Sequence, residues 1–414
     1  MKKHLLMLLT LVTLLSTLSF GETVSDTDIS EYNTDMTSSE YSTSEDTMYS
    51  SQGDLVDQEF VTTYEHGEII QVEDRVSEGD YSYEYQQCVV QIVSGTYAGD
   101  IVEIENAFSE NEFYNIRVKA GDPVILCIDD YGTTKEVNIA DHSRQHLLLG
   151  LIIIFLLTLV IVGRLKGFKS VITISLTIWL IYKVLLPGML AGKNPLFLTI
   201  IIATVITFAT ILIVSGFHTK SFSAIIGTLF GVVMAGAISI IAGNMVKLTG
   251  LSSHEAAMLL YLPQNITFNY KDLLFSGILL GALGAVMDVA MSIASSTQEI
   301  YNANPNVSSR QLFNSAMTVG QDIMGTMSNT LILAYTGSSI PLLLIFLAYE
   351  TPSIVMFNMD LIATEIVRSL AGSIGLILTI PITGLISIIL IRSVQYQHDH
   401  LGHVENQTEE KITL

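Results

Sequence analysis

The chain has 414 residues, half of them hydrophobic and only 14% charged, with a mean hydropathy of +0.50. That balance excludes an ordinary soluble enzyme and points to several membrane spans. The formal net charge of −21 is concentrated: residues 22–146 hold 28 of the 40 acidic residues against five basic ones, which excludes nucleic acid as that region's partner.

The chain opens on Met-Lys-Lys-His and then LLMLLTLVTLLSTLSF, the charged start and apolar middle of a secretory signal. Ser19 and Gly21 suit a cut after Gly21, so residues 1–21 read as a signal peptide, or as an anchor if uncleaved. Residues 22–59 carry 11 acidic residues, many Ser and Thr, and no Lys or Arg; they predict a solvated, disordered tether. From 60 to 141 short alternating runs such as YEYQQCVVQIVSG and GDIVEIENA predict five or six strands, curled into a small antiparallel barrel of the SH3 or OB kind. Cys88 and Cys127 fall on apolar strand positions and read as free thiols rather than a bridge. His66, His142 and His146 read as surface or juxtamembrane residues.

Seven apolar spans follow, near 147–163, 170–190, 196–215, 222–243, 273–295, 320–348 and 370–391. An exported β domain places the loop GRLKGFKS, with Arg164, Lys166 and Lys169, in the cytoplasm. His218 and Lys220, Arg310 and Arg392 mark the later inside connections, whereas the loops 244–272 and 349–369 hold Glu255, Asp272, Glu350, Asp360 and Glu365. The tail, residues 392–414, is then cytoplasmic. Its His398-Asp399-His400 and His403 have metal-ligand types but no fixed geometry, and read as solvated; no metal or other cofactor is expected.

Two segments carry the chemistry. GILLGALGAVMDVAMSIASSTQEI places Gly277, Gly281, Gly284, Asp288, Ser292, Ser295 and Glu299 at three- to four-residue steps, on one helical stripe. Asp288 lies roughly 10 Å from the inner end of its span at about 1.5 Å per residue, inside the hydrocarbon. SAMTVGQDIMGTMSNTLILAYTGSSIPLLL aligns Asp322, Gly325, Asn329 and Thr336, with Thr326 and Thr330 beside them. A carboxylate in a spanning helix is costly without partners or water, so Asp288 and Asp322 are candidates for binding a proton or small cation, aided by Ser292, Asn329 and Thr330. Gly277, Gly281, Gly284 and Gly325 read as helix-packing glycines. Gly227, Gly231 and Ala235, and the stripe Arg368, Gly372, Gly375, Thr379 and Thr383, predict a seam shared by four helices. The plainer alternative is that these residues only pack, their hydroxyls and amides bonding between helices.

GALGAVMDVAMSIASSTQEI and VGQDIMGTMSNTLILAYTGSSIPLLL resemble the signature blocks of the YibE/F family of bacterial multi-span membrane proteins. The resemblance covers about 145–395 and extends to the small β domain before it. It implies a Gram-positive bacterial setting and an architecture, but no established biochemical role. Spans five to seven also resemble, in plan, half of a resistance-nodulation-division permease or a SecD/SecF export factor. In that plan an Asp helix (Asp288) is followed by an amphipathic cytoplasmic stretch (302–318) and a polar helix (Asn329, Thr330). The chain lacks the large porter domain of those proteins.

The fold expected is therefore an α-helical polytopic membrane protein, with about seven spans after the signal segment and a small extracytoplasmic β domain. Two functions compete. One is a secondary-transporter-like permease for an unidentified solute or ion, non-enzymatic, relaying a proton or cation at Asp288. The other is a non-transporting assembly or sensing protein whose β domain binds an envelope partner. The bacterial cytoplasmic membrane is the expected location, and a homo-oligomer is an expected partner arrangement.

Overall fold

The computed structural model describes residues 61–77, 83–132, 134–261 and 269–412, with side chains up to residue 393. The expected signal segment and acidic tether lie outside the described residues. The chain divides into two compact units, Met1–His142 and Ser143–Leu414.

The first unit is a five-stranded antiparallel sheet: β1 (Val61–Val76), β2 (Glu84–Ile92), β3 (Ile101–Ala107), β4 (Pro123–Asp130) and β5 (Lys135–His142). Their order is β3-β2-β1-β4-β5, a half-barrel whose edges β3 and β5 approach without pairing. Alternation supplies the core: Cys88, Val90, Ile92, Ile104, Val124, Leu126 and Ile128 all point inward and are buried. Gly67 marks where long β1 curls, because any side chain there would strike Leu126 and Val90. Cys88 and Cys127 are free, as expected. They sit on β2 and β4, with β1 between them, and two strand spacings of ~4.8 Å each exceed disulfide reach. Burial pushes the Cys88 thiol up to about 11, so it is inert packing rather than a nucleophile.

The second unit is helical. Its long elements are α1 (Gln145–Leu190), α2 (Pro195–Ser215), α3 (Thr219–Met245), α5 (Tyr270–Ala303), α6 (Ser309–Ser338) and α9 (Asp360–Ile412). Short helices α4 (His254–Met258), α7 (Ile340–Ala348) and α8 (Ser353–Asn358) link them. Among the described residues five helices are long and apolar enough to cross a membrane, and α6 with α7, bent by 59°, adds a sixth where the pair counts as one span. The expected seven counts α1 as two spans, one on each side of Arg164. That 46-residue helix is interrupted at Arg164, where φ is 49° and ψ −125°. Leu159 and Gly167 would be ~12 Å apart along unbroken helix. A side chain on Gly167 would instead collide with the Leu159 carbonyl, so the chain turns back sharply there. GRLKGFKS is thus a tight break between helical pieces rather than an open loop.

Hydrogen bonds at the helix ends fix relative direction. Asp272 at the start of α5 accepts from Asn194 Nδ2 (2.8 Å), which caps α2. Thr249, just beyond α3, donates to Asp360 at the start of α9 (2.6 Å). At the opposite end, the Arg392 guanidinium donates to the Val307 carbonyl in the α5–α6 connection and lies 5.4 Å from the Tyr301 ring. The starts of α2, α5 and α9 therefore share one end with the close of α3, and α6 runs antiparallel to α5.

The bundle closes where α9 packs on α3, α5 and α6. Gly227 and Gly231 on α3 admit Thr383 and Thr379 of α9, and Gly375 of α9 lies against Ala235. A side chain at any of these glycines would strike those neighbours. The seam expected from the small residues of α3 and α9 is present. Its buried hydroxyls, however, bond along their own helices rather than between helices: Thr228 to the Ala224 carbonyl, Ser239 to Ala235, Thr297 to Ile293 and Thr379 to Gly375, at 2.7–2.9 Å. These four are satisfied within their own helix, which suits an apolar medium, whereas the Thr383 hydroxyl in the same seam has no partner among the described residues.

Arg164 holds a positive φ that glycine adopts freely and other residues adopt at a cost of about 1 kcal/mol or more. Arg164→Gly should raise the thermal midpoint of the detergent-solubilised protein by a few degrees. An unchanged or lower midpoint would show that the arginine side chain outweighs the backbone strain.

Candidate functional site

Residues of α5 divide cleanly by face. Phe275, Ile278, Leu279, Ala282, Leu283, Val286, Val289, Ala290, Ile293 and Ala294 are buried against the bundle. Gly277, Gly281, Gly284, Asp288, Ser292 and Glu299 are exposed. On α6 the buried positions are Leu312, Ala316, Gly320 and Leu331, and the opposite face exposes Asn314, Thr318, Gln321, Asp322, Gly325, Thr326, Asn329, Thr330 and Thr336. Three- and four-residue steps gather each set on one side of its helix.

The structure packs α5 against α6, as expected, but leaves Asp288, Ser292, Asp322, Asn329 and Thr330 on open faces instead of sealing them into the seam. Contacts of Gly281 with Tyr335 and of Gly320 with Ile293 set the register of this antiparallel pair. They place Asp322 level with Ser292, and Asp288 about one helical turn (~5 Å) further along. Thr326 and Thr330 donate to the Ile323 and Thr326 carbonyls at 3.0 and 2.9 Å, so their hydroxyl oxygens remain as acceptors.

The glycines behave differently from expectation. A side chain on Gly277, Gly284 or Gly325 would meet nothing within 4 Å, and one on Gly281 would meet only the Tyr335 hydroxyl. Close helix approach falls instead on Gly227, Gly231, Gly320 and Gly375. The stretch 302–318, read as an amphipathic piece outside the spans, belongs from Ser309 onward to α6 itself. Ser308 caps that helix in a reciprocal pair with Gln311.

One charged pair was not recognised in the sequence. α9 begins at Asp360, so Glu365, expected in the loop 349–369, lies inside a span candidate together with Arg368. They form an ion pair at 2.9 Å, one turn apart, with side chains only 20% and 30% exposed. Arg368 lies 5.9 Å from the ring of Tyr335, the α6 residue that covers Gly281. Glu365 Oε2, Arg368 Nε and the hydroxyls of Ser328, Thr364 and Ser373 are buried without a hydrogen-bond partner among the described residues, as are those of Thr199, Ser221, Thr383 and Ser387 elsewhere in the bundle. Such atoms are costly, and five of them lie on α6 and the first turns of α9. The i,i+3 spacing of an acid and an arginine was the available signal.

The β unit offers a smaller site. Between edges β3 and β5 lies a cleft of about 240 Å³ lined by Tyr97, Asp100, Val102, Glu103, Lys135 and Val137, among others. Lys135 Nζ stands 3.5 Å from the Tyr97 ring centre, and the Tyr97 hydroxyl donates to the Asp130 carboxylate. That hydrogen bond raises the Tyr97 phenol and, with the Gly132 amide, holds the Asp130 carboxyl below the usual range.

A strand half-barrel followed by a bundle of long apolar helices defines a multi-pass membrane protein with a separate small β unit. The family model for YibE/F-like proteins matches residues 151–393, and that for the YibE/F family N-terminal domain matches residues 60–142. The chain belongs to the YibE/F family. Comparisons with curated proteins and with solved structures gave no match.

Removing one partner of a shielded ion pair strands the other charge, at a cost of about 3 kcal/mol. Arg368→Leu should therefore lower thermal stability sharply, and adding Glu365→Leu should recover most of the loss. Equal midpoints for the single and double variants would contradict a coupled pair.

Proposed function

We propose that the protein is a secondary-transporter-like permease of the bacterial cytoplasmic membrane, in which a proton or small cation moves along the joined faces of α5 and α6. The observation that carries this reading is the placement of Asp288 and Asp322 on open faces of two adjacent spanning helices, about one turn apart in depth. Carboxylates in such positions are expensive unless they serve a charge. Ser292, Asn329 and Thr330 extend the polar track, and Glu365, Arg368 and Tyr335 continue it toward the other end of the bundle. Asp288 is the proposed relay and Asp322 the second acceptor; no covalent catalytic step is assigned. The basic residues Arg164, Lys166, Lys169, Lys220, Arg310 and Arg392 support an orientation with the carboxyl end in the cytoplasm and the β unit outside.

A second reading is favoured by the β3–β5 cleft: the β unit captures an envelope partner, and the helices serve only assembly. The two separate in reconstituted vesicles. Asp288→Asn should abolish proton or monovalent-cation flux, read with an internal pH dye and cation gradients, while leaving the thermal midpoint within about 1 °C of wild type. Unchanged flux sinks the relay.

A further inference from the structure

We propose that Glu365, Arg368 and Tyr335, at the broken end of the α6–α7 span, form a binding site for a small zwitterion of the α-amino-acid kind. The inference deepens the permease reading by naming its solute. It rests on that reading for transport, and on the site alone for binding.

The site lies where a spanning element is interrupted. α6 stops at Ser338, and α7 leaves it at an angle of 59°. A helix that ends inside a span presents its last carbonyls there, and that end favours a cation. The Tyr335 carbonyl accepts from the Ser338 and Ser339 hydroxyls at 2.8 and 3.2 Å, so hydroxyl and carbonyl oxygens gather at this end. A side chain on Gly372 would meet Leu331, and Arg368 faces the Tyr335 ring. This antiparallel register brings Glu365 level with Ser338 and Ser339.

The two charges are incompletely matched to each other. Glu365 Oε1 takes Arg368 Nη1 at 2.9 Å. Glu365 Oε2 lacks a donor and Arg368 Nε lacks an acceptor, and among the described residues they are the only charged members of the unpartnered buried set. A solute of one sign would answer one partner and repel the other, in surroundings that screen repulsion weakly. A zwitterion answers both. Its ammonium turns to Glu365 Oε2 and the end of α6, and its carboxylate accepts from Arg368 Nε. The ion pair and the solute are each neutral overall, so occupancy adds no net charge to the span. The side chains are 20% and 30% exposed, which leaves the pair in reach of a solute. Its two unpartnered atoms are shielded, so binding requires the Tyr335 ring, 5.9 Å from the guanidinium, to give way.

Full-length protein in lipid nanodiscs, heated with each common α-amino acid in turn at about 10 mM, tests this, with propionate and ethylamine as analogues of one charge each. At least one amino acid should raise the thermal midpoint by a few degrees, and neither analogue should. The tritiated form of that amino acid should bind, and Glu365→Gln should weaken its binding about tenfold or more. Glu365→Leu combined with Arg368→Leu strands no charge; it should keep the unliganded midpoint near wild type and bind none. No shift from any amino acid makes the pair structural only and overturns the site. An equal shift from propionate or ethylamine, or binding retained by the double variant, overturns it as well. Asp288→Asn should keep binding while losing flux. Binding without uptake into wild-type vesicles would keep the site and remove the permease reading, and ion flux without binding would do the reverse.

Discussion

Inside a bilayer a polar group has no water to turn to, and most of the helical unit answers that constraint. Buried hydroxyls return to carbonyls of their own helix, as Thr228, Ser239, Thr297 and Thr379 do. Helix ends are closed by Asn194, Asp272, Thr249 and Asp360 on one side and by Arg392 on the other. Where hydroxyls are satisfied in this way, helices pack on contact alone, and small residues set how closely they do so.

Small residues therefore mean two different things in this chain. On α3 and α9 they make a dry, filled contact in which Gly227, Gly231 and Gly375 hold the bundle together. On α5 and α6 they sit open among carboxylates, amides and hydroxyls. The first set explains stability. Apart from Gly281, which meets Tyr335, the second makes no filled contact, which is the physical reason to look for its role in transport.

The strands were legible because alternation in runs such as YEYQQCVVQI has only one physical meaning, a half-buried pleat. The half-open closure was not, since it depends on β3 and β5 failing to pair. Span positions were legible from apolar length, and boundaries less so. α6 starts at Ser309 because Leu312, Ala316 and Gly320 give it a narrow buried edge that a search for continuous apolar residues passes over. The Glu365–Arg368 pair was hidden because Glu365 suggests a loop while Arg368 falls on the span's stripe, and only their mutual bond puts both in one helix. Periodicity showed that Asp288, Ser292 and the glycines share a face. It could not show what that face meets, because a contact is a property of the neighbour as well as of the stripe.

The central claim is that the Asp288–Asp322 face does not meet lipid. A cryo-electron microscopy map of the full chain in lipid nanodiscs tests this directly. Ordered water or ions beside Asp288 and Asp322 are the expected result. Acyl-chain density running along Gly277, Gly284, Asp288 and Asn329 would contradict it.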